Sequence, residues 1–319
     1  MRLTIGIDVG GTKAAAGVVD DKGRIIEKLK RSTPAASPPE TEQVIADVVT
    51  ELASRHEVAA VGIGAAGFID GTRSFVLFAP NLAWRGEPLR TSVQEKIGLP
   101  VIVENDANAS LWAEARFGAA RGYQEVFLIA VGTGIGASLL IGGDIYRGRF
   151  GIAGEPGHYR VVPDGRLCGC GNRGCWEQYA SGSALVAEAR DFARRSPEGA
   201  MRLLQLGGGT PEGISGPQVT QAAREGDPAA LRCFQIVGNW LGQGMADLAA
   251  IIDPGCFIIG GGVSEAGSLL IDPARWAYER SLPGRGYREF ADIRLAELGA
   301  DAGVVGAADL ARRFVAAQA

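Results

Sequence analysis

The feature that most constrains the fold is a strand, glycine tip, strand pattern that occurs twice. The apolar run Leu3 to Asp8 predicts a buried strand, the tip Val9-Gly10-Gly11-Thr12-Lys13 follows it, and Ala14 to Val19 predicts a second strand. About 120 residues later the chain repeats this plan with Val126 to Val131, Gly132-Thr133-Gly134-Ile135-Gly136 and Ala137 to Ile141. A repeated unit of this kind favours an internally duplicated α/β architecture.

The two glycine tips have two interpretations. Neither has the Gly-Lys-Ser/Thr ending of a P-loop. A glycine and threonine tip can still receive phosphate through unhindered backbone N–H groups and a hydroxyl. An ordinary tight hairpin is the alternative for one tip, and the matched pair favours phosphate binding.

Composition narrows the class of protein. The chain has 319 residues, 46% hydrophobic and 21% charged, which predicts a globular protein of two domains. A net charge of -4 and the lack of any Lys/Arg run longer than two argue against a nucleic-acid partner. The sequence shows neither a signal peptide nor 18 consecutive apolar residues, so we expect no membrane partner and a cytoplasmic location.

One histidine and three of the five cysteines have metal-site spacing. His158, Cys168, Cys170 and Cys175 form a His-x9-Cys-x-Cys-x4-Cys set on a glycine-rich stretch. Four nitrogen and sulfur ligands predict a closed, structural zinc site, and a group of reduced core thiols is the alternative. The set lies between Glu155 and Glu177, so zinc would hold two carboxylates near each other, as a polyhydroxylated ligand requires.

Polar residues and glycines also follow predicted strands. Asn105-Asp106 comes between a strand at Val101 to Val103 and a helix at Ala107 to Phe117, where either residue could cap the helix or take part in catalysis. Gly62-x-Gly64-x-x-Gly67 matches the dinucleotide fingerprint formally, but a turn and not a helix is predicted after it. A further strand runs into Gly260-Gly261-Gly262, which favours close approach of a ligand.

A long apolar helix is predicted from Pro228 to Ile252. It is a candidate for the core or for a subunit contact.

Taken together, these motifs resemble the ROK group of the actin-like, hexokinase-type ATPase superfamily, and the resemblance runs from end to end. It is carried by Asp8 to Lys13, Glu104-Asn105-Asp106-Ala107-Asn108, Val131 to Gly136, Glu155-Pro156-Gly157-His158, Cys168 to Glu177 and Gly260 to Gly262. The resemblance implies a two-lobed, ribonuclease H-like α/β fold with duplicated domains. It also implies phosphorylation of a hexose, with glucose as the expected sugar and ATP, Mg²⁺ and structural Zn²⁺ as cofactors.

Individual roles follow from the same resemblance. Asp106 is the expected general base, and the sugar would lie against Ala65, Gly67, Asn81, Asn105, Glu155, His158 and Glu177. Phosphates and magnesium would be held by Asp8, Gly10, Gly11, Thr12, Lys13, Gly132, Thr133 and Gly134, with Gly260, Gly261, Gly262 and Val263 beside adenosine. His158 would use one ring nitrogen for zinc and the other for the sugar.

Several finer points stay open at this level. The expected lobes are residues 1–109 with 300–319, and residues 110–299 with the zinc loop at 154–177. The sugar could also be fructose, mannose or an N-acetylhexosamine, and a sugar-sensing repressor of the same group is the alternative from another class. A homo-oligomer, dimer or tetramer, is expected. The chain departs from the family pattern at Ala137-Ser138 and at Pro156.

Overall fold

The computed structural model describes residues 3–318 as two compact units. Within the described residues, the first unit comprises residues 3–126, 138–154 and 296–318, and the second comprises residues 127–137 and 155–295. The predicted lobe boundary near residue 109 stays a prediction.

Strands and helices are mixed along the chain, with an uninterrupted run of helices between β11 and β12. The strands are β1 (Leu3–Val9), β2 (Lys13–Val19), β3 (Ile25–Ser32), β4 (Val58–Ala65), β5 (Phe68–Ile69), β6 (Val76–Phe78), β7 (Arg85–Glu87), β8 (Val101–Asn105), β9 (Val126–Val131), β10 (Ile135–Ile141), β11 (Asp144–Ile145), β12 (Cys256–Gly260) and β13 (Asp292–Leu295). The helices are α1 (Pro38–Ala53), α2 (Leu89–Ile97), α3 (Asp106–Phe117), α4 (Glu177–Ala180), α5 (Gly182–Arg195), α6 (Met201–Leu206), α7 (Gly216–Arg224), α8 (Pro228–Ile252), α9 (Ser268–Ser281) and α10 (Ala302–Ala316).

Two five-stranded sheets follow the same plan. The first has the order β3-β2-β1-β4-β8, and the second has the order β11-β10-β9-β12-β13. In each sheet three strands follow one another in reverse chain order, and two later strands extend the far side. The first sheet pairs β1 with β4 and β4 with β8 in parallel, and β12 and β13 are parallel in the second. This repetition confirms the duplicated α/β architecture predicted from the two hairpins.

Helix α10 lies unusually close to the first sheet and to α3. A Cβ added at Gly6 would lie 1.8 Å from the carbonyl oxygen of Val304, and one added at Gly62 would lie 1.9 Å from that of Ala307. A Cβ at Gly306 would lie 1.7 Å from the carbonyl oxygen of Ala109 on α3. Only glycine permits such backbone contacts, so α10 fixes the helix that begins at Asp106.

The second unit is built around α8, which has the predicted bounds. Its buried face packs on α9, where a Cβ at Gly242 would lie 2.0 Å from the carbonyl oxygen of Ala274. The apolar character of α8 therefore serves the core of this unit. In residues 3–318 no helix has the length and apolarity needed to cross a membrane.

Candidate active site

The junction of β8 and α3 places two predicted residues in different local roles. The side chain of Asn105 caps α3, since its Oδ1 accepts a hydrogen bond from Asn108 N at 3.0 Å. Its Nδ2 donates to the carbonyl oxygen of Gly67 at 3.1 Å, which ties the loop after β4 to this junction. Asp106 is the first residue of α3 and is half-buried. The cap is therefore Asn105, while Oδ1 of Asp106 accepts a hydrogen bond from Ala107 N at 2.9 Å within the first turn.

Strand β4 does not lead into a helix. Residues Phe68–Ile69 form the short strand β5, so the dinucleotide fingerprint is rejected as predicted. A Cβ at Gly67 would lie 2.5 Å from the carbonyl oxygen of Phe78, so Gly67 is required by the neighbouring β6 backbone. Ala65 is fully buried at the end of β4 and pairs with Asn105 in the parallel ladder. The backbone of Ala65 and Gly67, predicted to line the sugar pocket, thus lies beside Asn105 where β4 and β8 end.

The first glycine tip packs against a predicted sugar-site loop. Gly10 N donates to the carbonyl oxygen of Lys13 at 3.0 Å, which closes the tip. A Cβ at Gly11 would lie 2.7 Å from the carbonyl oxygen of Asn81, so the two segments touch. Thr12 and Lys13 are exposed at the tip. Backbone N–H groups, a hydroxyl and an ammonium group are the donors that a phosphate chain requires.

Asp8 lies at the base of this tip. Burial raises the pKa of its carboxyl group, while the positive charges of Lys13 and Lys28 act in the opposite direction. A carboxylate oxygen beside a tip with these donors suits Mg²⁺, which binds through one or two carboxylates together with substrate phosphates.

The second glycine tip is held from two sides within its own unit. Gly132 N donates to the carbonyl oxygen of Gly134 at 3.0 Å, and Gly182 N, at the start of α5, donates to that of Gly132 at 2.8 Å. Ile135 N lies 3.4 Å from Glu177 Oε2 in a weak hydrogen bond. The tip therefore connects the beginning of α5 with one of the predicted sugar residues.

A groove of about 1230 Å³ begins at this tip. Gly132, Thr133, Gly262 and Val263 line it together with residues of α5 and α7. Gly260 is buried at the end of β12, and Gly261 adopts φ 81° with its backbone against Val131. Two segments that the sequence associates with nucleotide, 132–134 and 260–263, thus meet at one cavity of nucleotide size.

The predicted zinc ligands converge in the second unit. One ligand atom from each of His158, Cys168, Cys170 and Cys175 lies within 4.8 Å of every other. Cys168 Sγ is 3.6 Å from His158 Nδ1, and Cys170 Sγ is 3.6 Å from Cys175 Sγ. Zn–S bonds of about 2.3 Å place tetrahedral sulfur ligands about 3.8 Å apart, so the donor set fits zinc. Because Nδ1 faces the thiols, Nε2 remains the nitrogen for another partner.

Each end of the zinc loop is anchored to the rest of the second unit. The indole of Trp176 is buried and donates to the carbonyl oxygen of Trp240 on α8 at 2.8 Å. A Cβ at Gly157 would lie 2.3 Å from the carbonyl oxygen of Ile135, so the turn before His158 touches the second glycine tip. The Glu177 carboxylate contacts both groups: its Oε1 lies 2.9 Å from Cys168 Sγ, and its Oε2 lies 3.4 Å from Ile135 N. The loop therefore links the metal cluster to the tip.

The two departures from the family pattern fit the local structure. Pro156 begins a 3-10 turn over Pro156–His158, where the closing hydrogen bond comes from His158 N to Glu155 O. Proline is tolerated at such a first position because its missing N–H is not needed there. Ser138 is fully buried and donates through Oγ to Asn108 Oδ1 at 2.5 Å.

Other residues near these sites were assigned no role from the sequence. Glu104 is buried beside two arginines, Arg73 and Arg147, and the groove at the second tip is completed by Ser183, Arg190, Thr220 and Arg224. Their positions depend on loop and helix packing. In the sequence, the one indication is the carboxylate of Glu104 directly before Asn105-Asp106. A carboxylate buried at that position needs cationic partners, and Arg73 and Arg147 are those partners.

Comparison with known proteins gives a consistent result. The sequence profile of the ROK family matches residues 4–314. A protein from Streptomyces coelicolor named glucokinase is 52% identical over 312 residues, which cover 98% of each chain. The crystal structure of a ROK family glucokinase from Streptomyces griseus, in complex with glucose and AMPPNP, matches with a TM-score of 0.86 and 53% identity, covering 98% of this chain and 99% of the other. A Bacillus subtilis xylose repressor is 30% identical over 85% of this chain and 67% of its own length.

Proposed function

The chain belongs to the ROK family, and on that premise we propose that it is an ATP-dependent sugar kinase that converts glucose to glucose 6-phosphate. The observation that carries the proposal is identity of more than half, over nearly the full length, to proteins named glucokinase. The structure of one such relative was determined with glucose and an ATP analogue.

Asp106 is the general base in this proposal. A sugar hydroxyl is a poor nucleophile, and a carboxylate within hydrogen-bonding reach accepts its proton as the oxygen bonds to the γ-phosphorus. The bond from that phosphorus to the bridging oxygen breaks, and the nucleoside diphosphate leaves. Placement of Asp106 at the start of α3, with Asn105 serving as the cap, supports the assignment.

The two glycine tips receive the phosphates. Gly10, Gly11, Thr12 and Lys13 form one tip, and Gly132, Thr133 and Gly134 form the other; their backbone N–H groups stabilise the charge of the transferring group. Asp8 would hold Mg²⁺, which neutralises phosphate charge when bound. Gly260, Gly261, Gly262 and Val263 would accommodate adenosine, because Gly262 and Val263 line the same groove as Gly132 and Thr133 of the second tip.

The sugar hydroxyls are assigned to Asn105, Glu155, His158 and Glu177, with the backbone of Ala65 and Gly67 and the side chain of Asn81 alongside. Zinc would be held by His158 Nδ1 and the thiolates of Cys168, Cys170 and Cys175, where it fixes the loop and the histidine tautomer. Nε2 of His158 would then be the nitrogen that faces a hydroxyl. The proposal includes lobes at 1–109 with 300–319 and at 110–299, a homo-oligomeric dimer or tetramer, and the cytoplasm, where thiols stay reduced.

A coupled assay tests the reaction and its substrates together. Glucose, fructose, mannose and N-acetylmannosamine are each supplied with ATP and with polyphosphate, and phosphoryl transfer is measured for every pair. We expect the highest kcat/KM for glucose with ATP. Preference for another sugar would replace the substrate in the proposal, and absence of transfer to any sugar would refute the kinase assignment.

A further inference from the structure

Glu104 is the residue directly before the proposed active-site pair Asn105-Asp106. It ends the buried part of β8 and is only 2% exposed. Its Oε1 accepts hydrogen bonds from Asn105 N at 3.1 Å and from Asn108 Nδ2 at 2.9 Å. A buried carboxylate that binds the backbone of residue 105 and a side chain one turn later fixes the first turn of α3.

The second oxygen of Glu104 is oriented by Arg147. Nε and Nη2 of Arg147 donate to Oε2 at 2.9 Å and 2.6 Å, in a two-pronged contact. Arg73 contributes charge without the same geometry, because its Nε lies 3.1 Å from Oε2 but makes no hydrogen bond. Arg147 is therefore the residue that sets the direction of the Glu104 carboxylate.

Arg147 is itself fixed by its own segment. Its Nη1 donates to the carbonyl oxygen of Ile145 at 3.1 Å, and its carbonyl oxygen accepts from Ala153 N at 3.1 Å. The segment so closed ends just before Glu155. The guanidinium that contacts Glu104 thus belongs to a loop whose conformation is fixed by its own hydrogen bonds.

We propose that Arg147 is a positioning residue for phosphoryl transfer, which acts through Glu104 to hold Asn105 and Asp106 in their productive orientation. The inference rests on the proposed role of Asp106. Misplacing a catalytic group by about 1 Å can cost about 100-fold in rate, so a contact that fixes the preceding backbone has a measurable kinetic effect.

A double-mutant cycle tests this relay. Arg147→Gln, Glu104→Gln and the double variant are compared with the wild type for kcat and for the KM of glucose and of ATP. We expect Arg147→Gln to lower kcat by about 10- to 100-fold while the KM of ATP is unchanged. The double variant should be no slower than Glu104→Gln alone, because both changes break one relay.

Arg313→Gln is the matched control. Arg313 makes a similar two-pronged contact, at 2.9 Å and 2.8 Å, with Asp144, which is close to Arg147 in the chain. The Arg313 guanidinium lies over the ring of Trp112, later in α3, whereas the side chain that donates to Glu104 Oε2 is that of Arg147. We expect the kcat of Arg313→Gln to remain that of the wild type. Arg147→Lys keeps the charge and loses the fork, so its kcat should lie between those of the wild type and Arg147→Gln. It provides a well-folded variant should Glu104→Gln not fold.

Hydrogen exchange separates this proposal from the choice of substrate. In Arg147→Gln the amides of residues 104–110 should exchange faster than in the wild type, and in Arg313→Gln they should not. If the wild type prefers another sugar, the proposal of glucose as substrate is refuted. The kcat values of the double-mutant cycle are then measured with the preferred sugar. Equal kcat for Arg147→Gln and Arg313→Gln, multiplicative losses in the double variant, or unchanged exchange at 104–110 would each overturn the relay.

Discussion

At the scale of single residues, adjacent polar side chains at the start of α3 have separate roles. Sequence reasoning left helix capping and catalysis open for Asn105 and Asp106. The hydrogen bond from Asn108 N to Asn105 Oδ1 assigns the cap to Asn105. The cap is thus a different residue from the proposed base, Asp106, whose Oδ1 accepts a hydrogen bond from Ala107 N at 2.9 Å.

Asp106→Asn tests the base directly. The amide has nearly the same shape but cannot accept the hydroxyl proton, so we expect kcat to fall by about 10²- to 10⁴-fold while glucose binding is largely retained. Steady-state kinetics and glucose titration measure the two effects. Asp47→Asn, on the exposed side of α1, serves as the control; near-normal turnover in Asp106→Asn would reject the assignment.

Glu42 is a second buried carboxylate with an unusual environment. It is 7% exposed on α1, and burial raises its pKa to about 7, with a further contribution from a hydrogen bond to Glu87 and from the charge of that residue. Lys96 and Ser92 act in the opposite direction. Since the folded state holds this proton more tightly than the unfolded state, stability should fall as pH rises from about 4.5 through 7.

Glu42→Gln should remove this pH dependence. An amide stays neutral and can donate to Glu87, so the variant should melt about 2–4 °C above the wild type at pH 8, the shift typical of about 1 kcal/mol. At pH 5 the two should melt alike. Thermal unfolding at both values measures the difference, with exposed Glu40→Gln as the control. A gain of equal size at pH 5 would contradict the titration of Glu42.

At the scale of elements, the zinc loop joins three local functions. It carries the metal ligands, approaches the second glycine tip through Gly157 and Glu177, and is anchored to α8 through Trp176. A glycine-rich loop has little intrinsic preference for one conformation. Zinc binding should therefore supply both the stability of the loop and the placement of its proposed sugar-binding residues.

Cys170→Ala should raise the KM of glucose and lower the melting temperature together. Loss of one of four ligands weakens zinc binding, so the loop loses the constraint that orients His158 and Glu177. Zinc content, melting temperature and glucose KM are measured on the same samples, and chelation of the wild type should reproduce the result. Cys233→Ala removes a buried thiol outside the cluster and should leave KM unchanged. Lower stability with unaltered KM would disprove the coupling.

Element prediction succeeded where burial imposes a strong pattern. Strand β9 and helix α8 have the bounds predicted from their apolar residues. Strand β3 and helix α2 were not recognised. β3 is a sheet edge with charged residues on its exposed positions, and α2 buries only Leu89 and Val93, so neither carries a clear periodic signal.

At the scale of the whole molecule, each unit is assembled from separate parts of the chain. Residues 296–318 join the first unit, where α10 packs on β1, β4 and α3 through glycines. Gly6, Gly62 and Gly306 are therefore required by backbone contacts between distant segments. Local sequence patterns do not indicate that α10 packs on these distant segments.

Gly62→Ala tests the importance of this packing. The added Cβ would collide with the backbone of Ala307, which cannot move as a flexible side chain does, so we expect a loss of about 3 kcal/mol or more in the free energy of unfolding. Urea denaturation measures it. Gly64→Ala lies two residues along the same strand, where the new Cβ has contacts of 3.5 Å and more, and should cost far less. Equal losses would show that the α10 contact is not the cause.

The sequence by itself determined the duplicated α/β plan, the candidate metal ligand set and the family, because hairpin periodicity, metal spacing and glycine tips are local patterns. Only the tertiary structure decided which neighbour each of these patterns contacts. It assigned the cap to Asn105, placed Glu177 against the second tip, and brought Arg147 to Glu104. These contacts join residues far apart in the chain, and their geometry depends on backbone packing that local patterns do not encode.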